Sequence, residues 1–408
     1  MLSLCLLFGS ARAAAEQAGS LWDAVTGGKL LLNLRPRYEH VEQDGKTYDA
    51  NALTLRTLLG WQTAPYHGLS ATAQMIDVGR ANENYNESPA NTTGRRGQFP
   101  VVADPDDTDV NQLFVDYTGV PGTRLRLGKQ SIKLDNVRFV GNVEFRQVMQ
   151  VFTGLTAENK SLPNTTIYAG HLERLKTIFA TQQEIKFEVL NAGYEWKPGN
   201  RLIAYGYLLD SPKTASVTGF SDNSNQILGL RADGGYPLGE KLKLLYTAEY
   251  AKQSDYADGD SRIDADYARG GLGLGWPAFY ARIDYELLSS NDGVYAFQTP
   301  LGTNHLFQGW ADLFLTTPAQ GMRDTFLTAG GSFTKAKWSA EYHDFKSDFG
   351  SIHYGTEFDI GVTHPLFVKG LTGKLEYARF REDDILTPAG ARKRDTDKFW
   401  LTVMYSFE

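Results

Sequence analysis

The sequence predicts an all-β protein: a single transmembrane antiparallel β-barrel of eighteen strands, with sixteen as the open alternative. Three observations predict it. Two-faced segments recur along nearly all of the 408 residues, and because a strand turns successive side chains to opposite faces, each gains one apolar and one polar side. The connections between these segments alternate between short and long. No apolar run approaches the ~18–20 residues of a membrane helix, whereas the strands of a membrane barrel need be only half apolar.

The elements follow in order. Residues 1–15 read as a secretory signal peptide, with an apolar stretch at 2–8 and small residues around Ala11 and Ala13. A positive n-region is missing, so the true start could lie upstream; a short buried helix is the alternative. Residues 16–28 would be a short periplasmic segment, too short for a plug domain, and 29–408 the barrel. The segment at 30–41 sets Leu32, Leu34, Pro36 and Tyr38 against Asn33, Arg35, Arg37 and Glu39. Next come 51–63, with Arg56 inward, and 68–79, joined by a short turn at 64–67. Segment 109–118 follows a long connection. Segment 123–131 follows the turn at 119–122, with Leu125 and Leu127 outward and Arg124, Arg126 and Gln130 inward. The sixth, 145–155, has an uneven pattern, and the turn after it, 156–163, is long for the periplasmic side.

Segments 164–172, 185–196 and 200–209 lead to 225–235, which carries Arg231 inward. Segments 240–251 and 264–275 precede 278–289, where Phe279, Ala281, Ile283, Tyr285 and Leu287 oppose Tyr280, Arg282, Asp284 and Glu286. After a connection at 290–323 come 324–334 and 336–346. Segment 353–364 sets Tyr354, Phe358, Ile360 and Val362 against Glu357 and Asp359. Segment 371–381 precedes the last, 396–407, whose face of Phe399, Leu401, Val403, Tyr405 and Phe407 suits lipid.

The short turns at 64–67, 119–122, 197–199, 237–239, 276–277 and 335 fall on every second connection, and most contain Pro or Gly. The long connections at 81–108, 210–224 and 290–323 fall on the others. That is the pattern of short periplasmic turns and long external loops. Soluble sandwiches also alternate, but several would be needed, and no linker divides this chain.

Composition narrows the function. Gly numbers 41, with 21 Tyr, 22 Phe and seven Trp, and net charge is −7, which argues against nucleic acid as a partner. The only cysteine, Cys5, lies in the signal, so the mature chain offers no disulfide, thiolate metal site or cysteine nucleophile. A mid-depth arginine facing lipid costs about 2–4 kcal/mol, which forces the mid-strand arginines inward or to a rim. Several in one lumen would favour anions. They could equally be braces, because the inward acids Glu39, Asp116, Glu249, Asp284, Glu286, Glu341, Glu357 and Asp359 offer partners.

Residues 128–156, GKQSIKLDNVRFVGNVEFRQVMQVFTGLT, resemble the signature of the bacterial alginate-export outer-membrane family, and 302–312, GTNHLFQGWAD, resemble a second stretch of it. With the strand pattern, the resemblance spans about 28–407. It implies eighteen antiparallel strands, an arginine-rich lumen, a monomer and passage of an anionic polyuronate such as alginate. Lys129, Gln130, Asp135, Arg138 and Arg146 match motif positions. Lys129 stands where the family usually has Arg, which keeps the charge but loses the bidentate fork, and Phe145 stands where Trp is common. Many relatives are generic porins, so a diffusion porin without strong selectivity is the alternative.

The connection at 131–142 is expected to fold inward as a constriction or to remain a surface loop. Residues 304–317 are expected over the mouth, with Phe307 and Trp310 against the wall. The acids Asp104, Asp106, Asp107 and Asp109, and Asp255, Asp258 and Asp260, read as solvated loops, with calcium or bridging to lipopolysaccharide as the lesser alternative. No pair of the seven histidines has zinc-helix spacing. An outer-membrane hydrolase would need histidine and carboxylate at the outer rim, where His343 and His353 with Asp344 and Asp348 are the nearest candidates. The expected function is an outer-membrane channel for anionic solutes, lined by Arg35, Arg37, Arg56, Arg124, Arg126, Lys129, Gln130, Asp135, Arg138, Arg146, Arg231 and Arg282. No enzyme activity and no cofactor are expected.

Overall fold

The computed structural model describes residues 17–211, 219–383 and 394–407; the signal segment lies outside them. Eighteen strands close into one antiparallel barrel: β1 (Lys29–Gln43), β2 (Ala50–Gln62), β3 (Leu69–Arg80), β4 (Asp107–Tyr117), β5 (Thr123–Gln130), β6 (Val151–Asn159), β7 (Thr165–Lys176), β8 (Gln182–Lys197), β9 (Asn200–Asp210), β10 (Asn225–Pro237), β11 (Lys243–Asp255), β12 (Asp264–Gly275), β13 (Phe279–Leu288), β16 (Met322–Phe333), β17 (Ala336–Lys346), β18 (His353–Pro365), β19 (Leu371–Glu382) and β20 (Thr396–Phe407). The two-residue strands β14 (Ser290–Asn291) and β15 (Tyr295–Ala296) form a separate hairpin in the longest loop. Each barrel strand pairs with its sequence neighbour, and β20 returns to β1, from Leu32 opposite Phe407 to Gln43 opposite Thr396. Closure leaves no free edge, which a sheet in lipid requires.

Hydropathy alternation positions the wall. Leu59, Leu127, Leu190, Leu230, Leu272, Leu327 and Leu401 are exposed on the outside, while Arg35, Asp116, Glu249, Asp284 and Trp400 are buried inside. Trp61, Tyr117, Trp196, Tyr236, Trp276, Phe279, Phe333, Phe367 and Phe407 are all exposed at or beside the strand ends that carry short turns. That is an interfacial aromatic girdle. No described helix is long and apolar enough to cross a membrane. The one α-helix among the described residues, α1 (Leu21–Thr26), is capped by Ser20, whose Oγ accepts the Asp23 N–H at 3.1 Å. It docks beneath the barrel, where Trp61 Nε1 donates to Val25 O at 2.9 Å.

Two expectations need correction. The sixth strand is not 145–155 but Val151–Asn159. Residues 145–150 belong to the preceding loop, which runs inside the barrel; Arg146, Gln147, Val148, Met149 and Gln150 are all buried there, so the stretch is buried on both sides and its alternation fails. The shift also shortens the following periplasmic turn to 160–164. Tyr354 does not face lipid. The β17–β18 register slips between Phe345 and Lys346, opposite Gly355, whose φ is +137°. The slip turns Tyr354 inward, and its hydroxyl donates to Gly321 O at 2.9 Å.

Candidate functional site: the occupied bore

Two external loops fill much of the barrel interior. The connection at 131–150 enters with Ile132, Phe139 and Val140, and the connection at 289–321 enters with Phe297, Leu301, Trp310 and Phe314. Both join one apolar cluster with the wall residues Phe187, Tyr205, Tyr267, Phe345, Phe380 and Trp400. The Phe139 ring meets Tyr267 edge-on at 5.1 Å and Phe297 at 5.8 Å. The loops also bond each other: Gly141 N–H donates to Leu301 O, and Thr303 N–H to Val137 O, each at 2.9 Å. Trp310 lies against Gly361 of β18, where an added Cβ would come within 3.1 Å of the indole. The wall carries glycine there because the ring needs the space.

The arginines divide into braced and less braced groups. Arg138 is buried, 2.9 Å from Glu286 Oε1, and donates to Gln308 Oε1 at 2.9 Å. Arg146 lies 3.0 Å from Glu39 and 2.7 Å from Asp312. Arg126 forks Asp116 at 2.7 and 2.8 Å and lies over Phe114. Arg282 grips Asp284 at 2.5 and 2.6 Å. Arg124 is 3.4 Å from Glu158, and Arg231 is 3.2 Å from Asp233. Lys129 is 2.9 Å from Asp109, which it shares with Lys176. Gln130 bridges wall groups, accepting from Thr156 at 3.0 Å. Asp135 accepts from Asn191 at 2.6 Å; burial pushes its carboxyl above the usual range against that hydrogen bond.

Arg35, Arg37 and Arg56 differ. Arg35 and Arg56 are directly opposed across β1 and β2. Arg35 spends its donors on the infolded loop, giving Nε to Gln147 Oε1 at 2.9 Å, Nη1 to Glu144 O at 2.7 Å, and Nη2 to Arg146 O. Arg37 donates to Phe145 O at 2.7 Å and lies 3.8 Å from Asp104. Arg56 is 1% exposed, and its one hydrogen bond runs from Nη2 to Asn33. Its Nε and Nη1 are buried without a partner. Like charges directly opposite destabilise a sheet, so this pair concentrates positive charge on one side of the bore. Across β5 and β6, a cavity of about 120 Å³ is lined by Arg124, Arg126, Lys133, Glu158 and Tyr168, among others.

Of the acids at 104–109, Asp106 is exposed as expected, whereas Asp104 is buried and Asp107 and Asp109, which open β4, are paired with lysines. Asp104 is fully buried and accepts the Gln147 N–H at 2.8 Å. Asp106 pairs with Arg80 at 2.6 Å, and Asp107 with Lys176 at 2.6 Å. Of the second cluster, Asp260 is held by Arg262, which keeps its carboxyl at about 2. Asp255 and Asp258 of the same cluster are exposed, as expected of a solvated loop. His343 and His353 do not meet. His343 is buried in the bore opposite Glu357. His353 stands at the outer end of β18, with Asp383 on Nδ1 at 2.5 Å and Asp344 on Nε2 at 2.6 Å. Sequence reasoning missed Asp324, whose carboxylate reaches His343; in register it stands opposite Phe345, two places from the histidine's own partner Phe326, so the sequence carried no signal for the pair.

A closed eighteen-strand barrel with an aromatic girdle and a polar, loop-filled interior defines the class of outer-membrane channel proteins. The chain belongs to the alginate export family, whose profile matches residues 32–308; the match stops short of the 28–407 expected from the motifs. No curated protein matches the chain. Among solved structures it is similar to OccAB3 of Acinetobacter baumannii, with a TM-score of 0.70, 14% identity, and coverage of 94% of this chain and 100% of that one. It is similar to OpdK of Pseudomonas aeruginosa, solved with vanillate, at TM-score 0.70 and 15% identity over 94% and 99%. OpdQ of the same organism gives TM-score 0.70 and 15% identity over 94% and 98%. At such identities the likeness is one of fold.

Proposed function

We propose that this protein is a passive, monomeric outer-membrane channel for small anionic solutes, carboxylates above all. A basic face built around Arg56 would draw them through the bore. The observation that carries this reading is Arg56 itself: a guanidinium buried opposite Arg35, with two of its three nitrogens, Nε and Nη1, lacking a hydrogen-bond partner. A carboxylate or a short run of a polyuronate supplies the acceptors and charge those donors lack. The cavity beside Arg124, Arg126 and Lys133 offers a second foothold, and several weak sites permit release as well as entry. Vanillate, the ligand named for OpdK, is a carboxylate of the size the reading favours. His353 does approach carboxylates at the rim, Asp383 at 2.5 Å and Asp344 at 2.6 Å, but the family and the similar structures are those of channels, which favours the channel reading.

The competing reading is a diffusion porin of weak selectivity. It is favoured by the pairing of Arg126, Arg138, Arg146 and Arg282 with acids. Reversal potentials in a planar bilayer under a potassium chloride gradient separate the two. Anion selectivity that falls in Arg56→Met and Arg35→Met, with block by vanillate or oligouronates weakening in parallel, supports the proposal. Selectivity indifferent to both substitutions leaves the porin reading.

A further inference from the structure

The wall formed by β16, β17 and β18 is acidic, and the anion path makes no use of it. It holds one histidine in a fixed pose. His343 Nδ1 lies 2.9 Å from Asp324 Oδ2. A carboxylate on one ring nitrogen fixes the ring's orientation, as in the carboxylate–histidine pairs that orient metal ligands. Nε2 faces two more carboxylates, Glu341 Oε2 at 3.4 Å and Asp359 Oδ2 at 3.8 Å. One ligand atom from each of the three residues falls within 4.8 Å of the others. A tetrahedral cation with bonds of ~2.0–2.1 Å sets its ligand atoms ~3.4 Å apart, so the cluster needs to close by only a little.

A second observation is independent of that spacing. Asp359 Oδ1 and its neighbour Glu357 Oε2 are buried without a hydrogen-bond partner, and both residues are at most 1% exposed. The register places Glu341 directly opposite Asp359. Among the described residues, no lysine or arginine lies within 4 Å of Asp324, Glu357 or Asp359. Buried carboxylate oxygens left without a partner are costly, and those of Glu357 and Asp359 are the groups a bound cation would satisfy.

We propose that Glu341, His343 and Asp359 form a divalent-cation site in the bore wall, with Asp324 as the residue that positions His343. One nitrogen and two carboxylate oxygens suit zinc and its neighbours in the first transition row better than calcium or magnesium, which take oxygen ligands. The site adjoins the infolded loop, because Asp359 accepts the Trp310 N–H at 3.3 Å and Glu357 the Ala311 N–H at 2.6 Å. A bound cation therefore neutralises the acidic wall where that loop rests. None of this depends on the anion reading, and the test reads metal rather than transport.

The test is calorimetric titration of zinc chloride into the chelator-treated, detergent-solubilised full chain. One site of micromolar or tighter affinity is expected in the native protein. His343→Ala should abolish it, Asp359→Asn should weaken it, and Asp324→Asn should weaken it about 10-fold through the orientation of His343. Cobalt(II) added in place of zinc should give the visible spectrum of a tetrahedral site with nitrogen ligation, lost in His343→Ala. Heat-modified gel mobility identifies folded barrel; should His343→Ala not fold, the isosteric Asp359→Asn decides. No zinc uptake by the native protein, equal affinity in a folded variant, or tighter binding of calcium than of zinc would each overturn the site.

Discussion

Two buried arginines of this bore should respond to removal with opposite sign. Arg138 holds Glu286 at 2.9 Å, with both side chains essentially inaccessible. Arg138→Ala leaves that carboxylate charged and alone, and is expected to cost about 3–5 kcal/mol, measured as a shift in urea unfolding from lipid vesicles. Arg56→Met keeps volume while ending the opposition to Arg35, so stability should stay within about 1 kcal/mol or rise. A large loss in Arg56→Met would mean that Arg56 is a brace like the others. The inward direction of these arginines was legible in the sequence, because period-two alternation and the cost of charge in lipid leave them nowhere else to point. Their partners were not legible. Arg138 meets Glu286 only because a loop enters the barrel, and no local pattern links positions so far apart in the chain.

At the scale of elements, strand existence was readable throughout, and the errors have local causes. The stretch 145–150 alternates poorly because both its faces are buried, and the Gly355 bulge reversed Tyr354. The infolding of 131–142 was one of two outcomes its mixed charges left open, and 304–317, expected over the mouth from its strand-like run with Phe307 and Trp310, reaches into the bore. β5 is held to its neighbours by a glycine: Gly128 has φ +132°, and a Cβ there would lie 2.2 Å from Leu113 O. Gly128→Ala should therefore destabilise the barrel by about 1–3 kcal/mol, read from its unfolding midpoint. Trp310→Ala should free the loop from its seat on Gly361 and raise single-channel conductance while the heat-modified band persists. Unchanged conductance would show that the bore narrows elsewhere.

For the whole molecule, the outside must behave as a solvent boundary. Leu401 is exposed at the middle of β20. Leu401→Arg should cost about 2–4 kcal/mol more than Leu401→Ala on folding into vesicles. Equal costs would mean that this face does not meet lipid. The charges are sorted around the bore, with Arg35, Arg37 and Arg56 on β1 and β2 and Asp324, Glu341, Glu357 and Asp359 on β16 to β18. A passing ion therefore crosses a transverse field as well as a longitudinal one, which orients dipolar solutes.

The pairing of β1 with β20 governs how the protein comes into being. The first strand finds its partner only when the last has been made and delivered, so β1 and β20 each wait as an open edge that could capture another chain. The contact that finishes the wall joins the most distant parts of the chain, and such contacts are slow to form. Biogenesis is then all or nothing. A chain cut short by one strand has no smaller barrel to settle into, and its unpaired hydrogen bonds belong to chaperones and proteases rather than to the membrane.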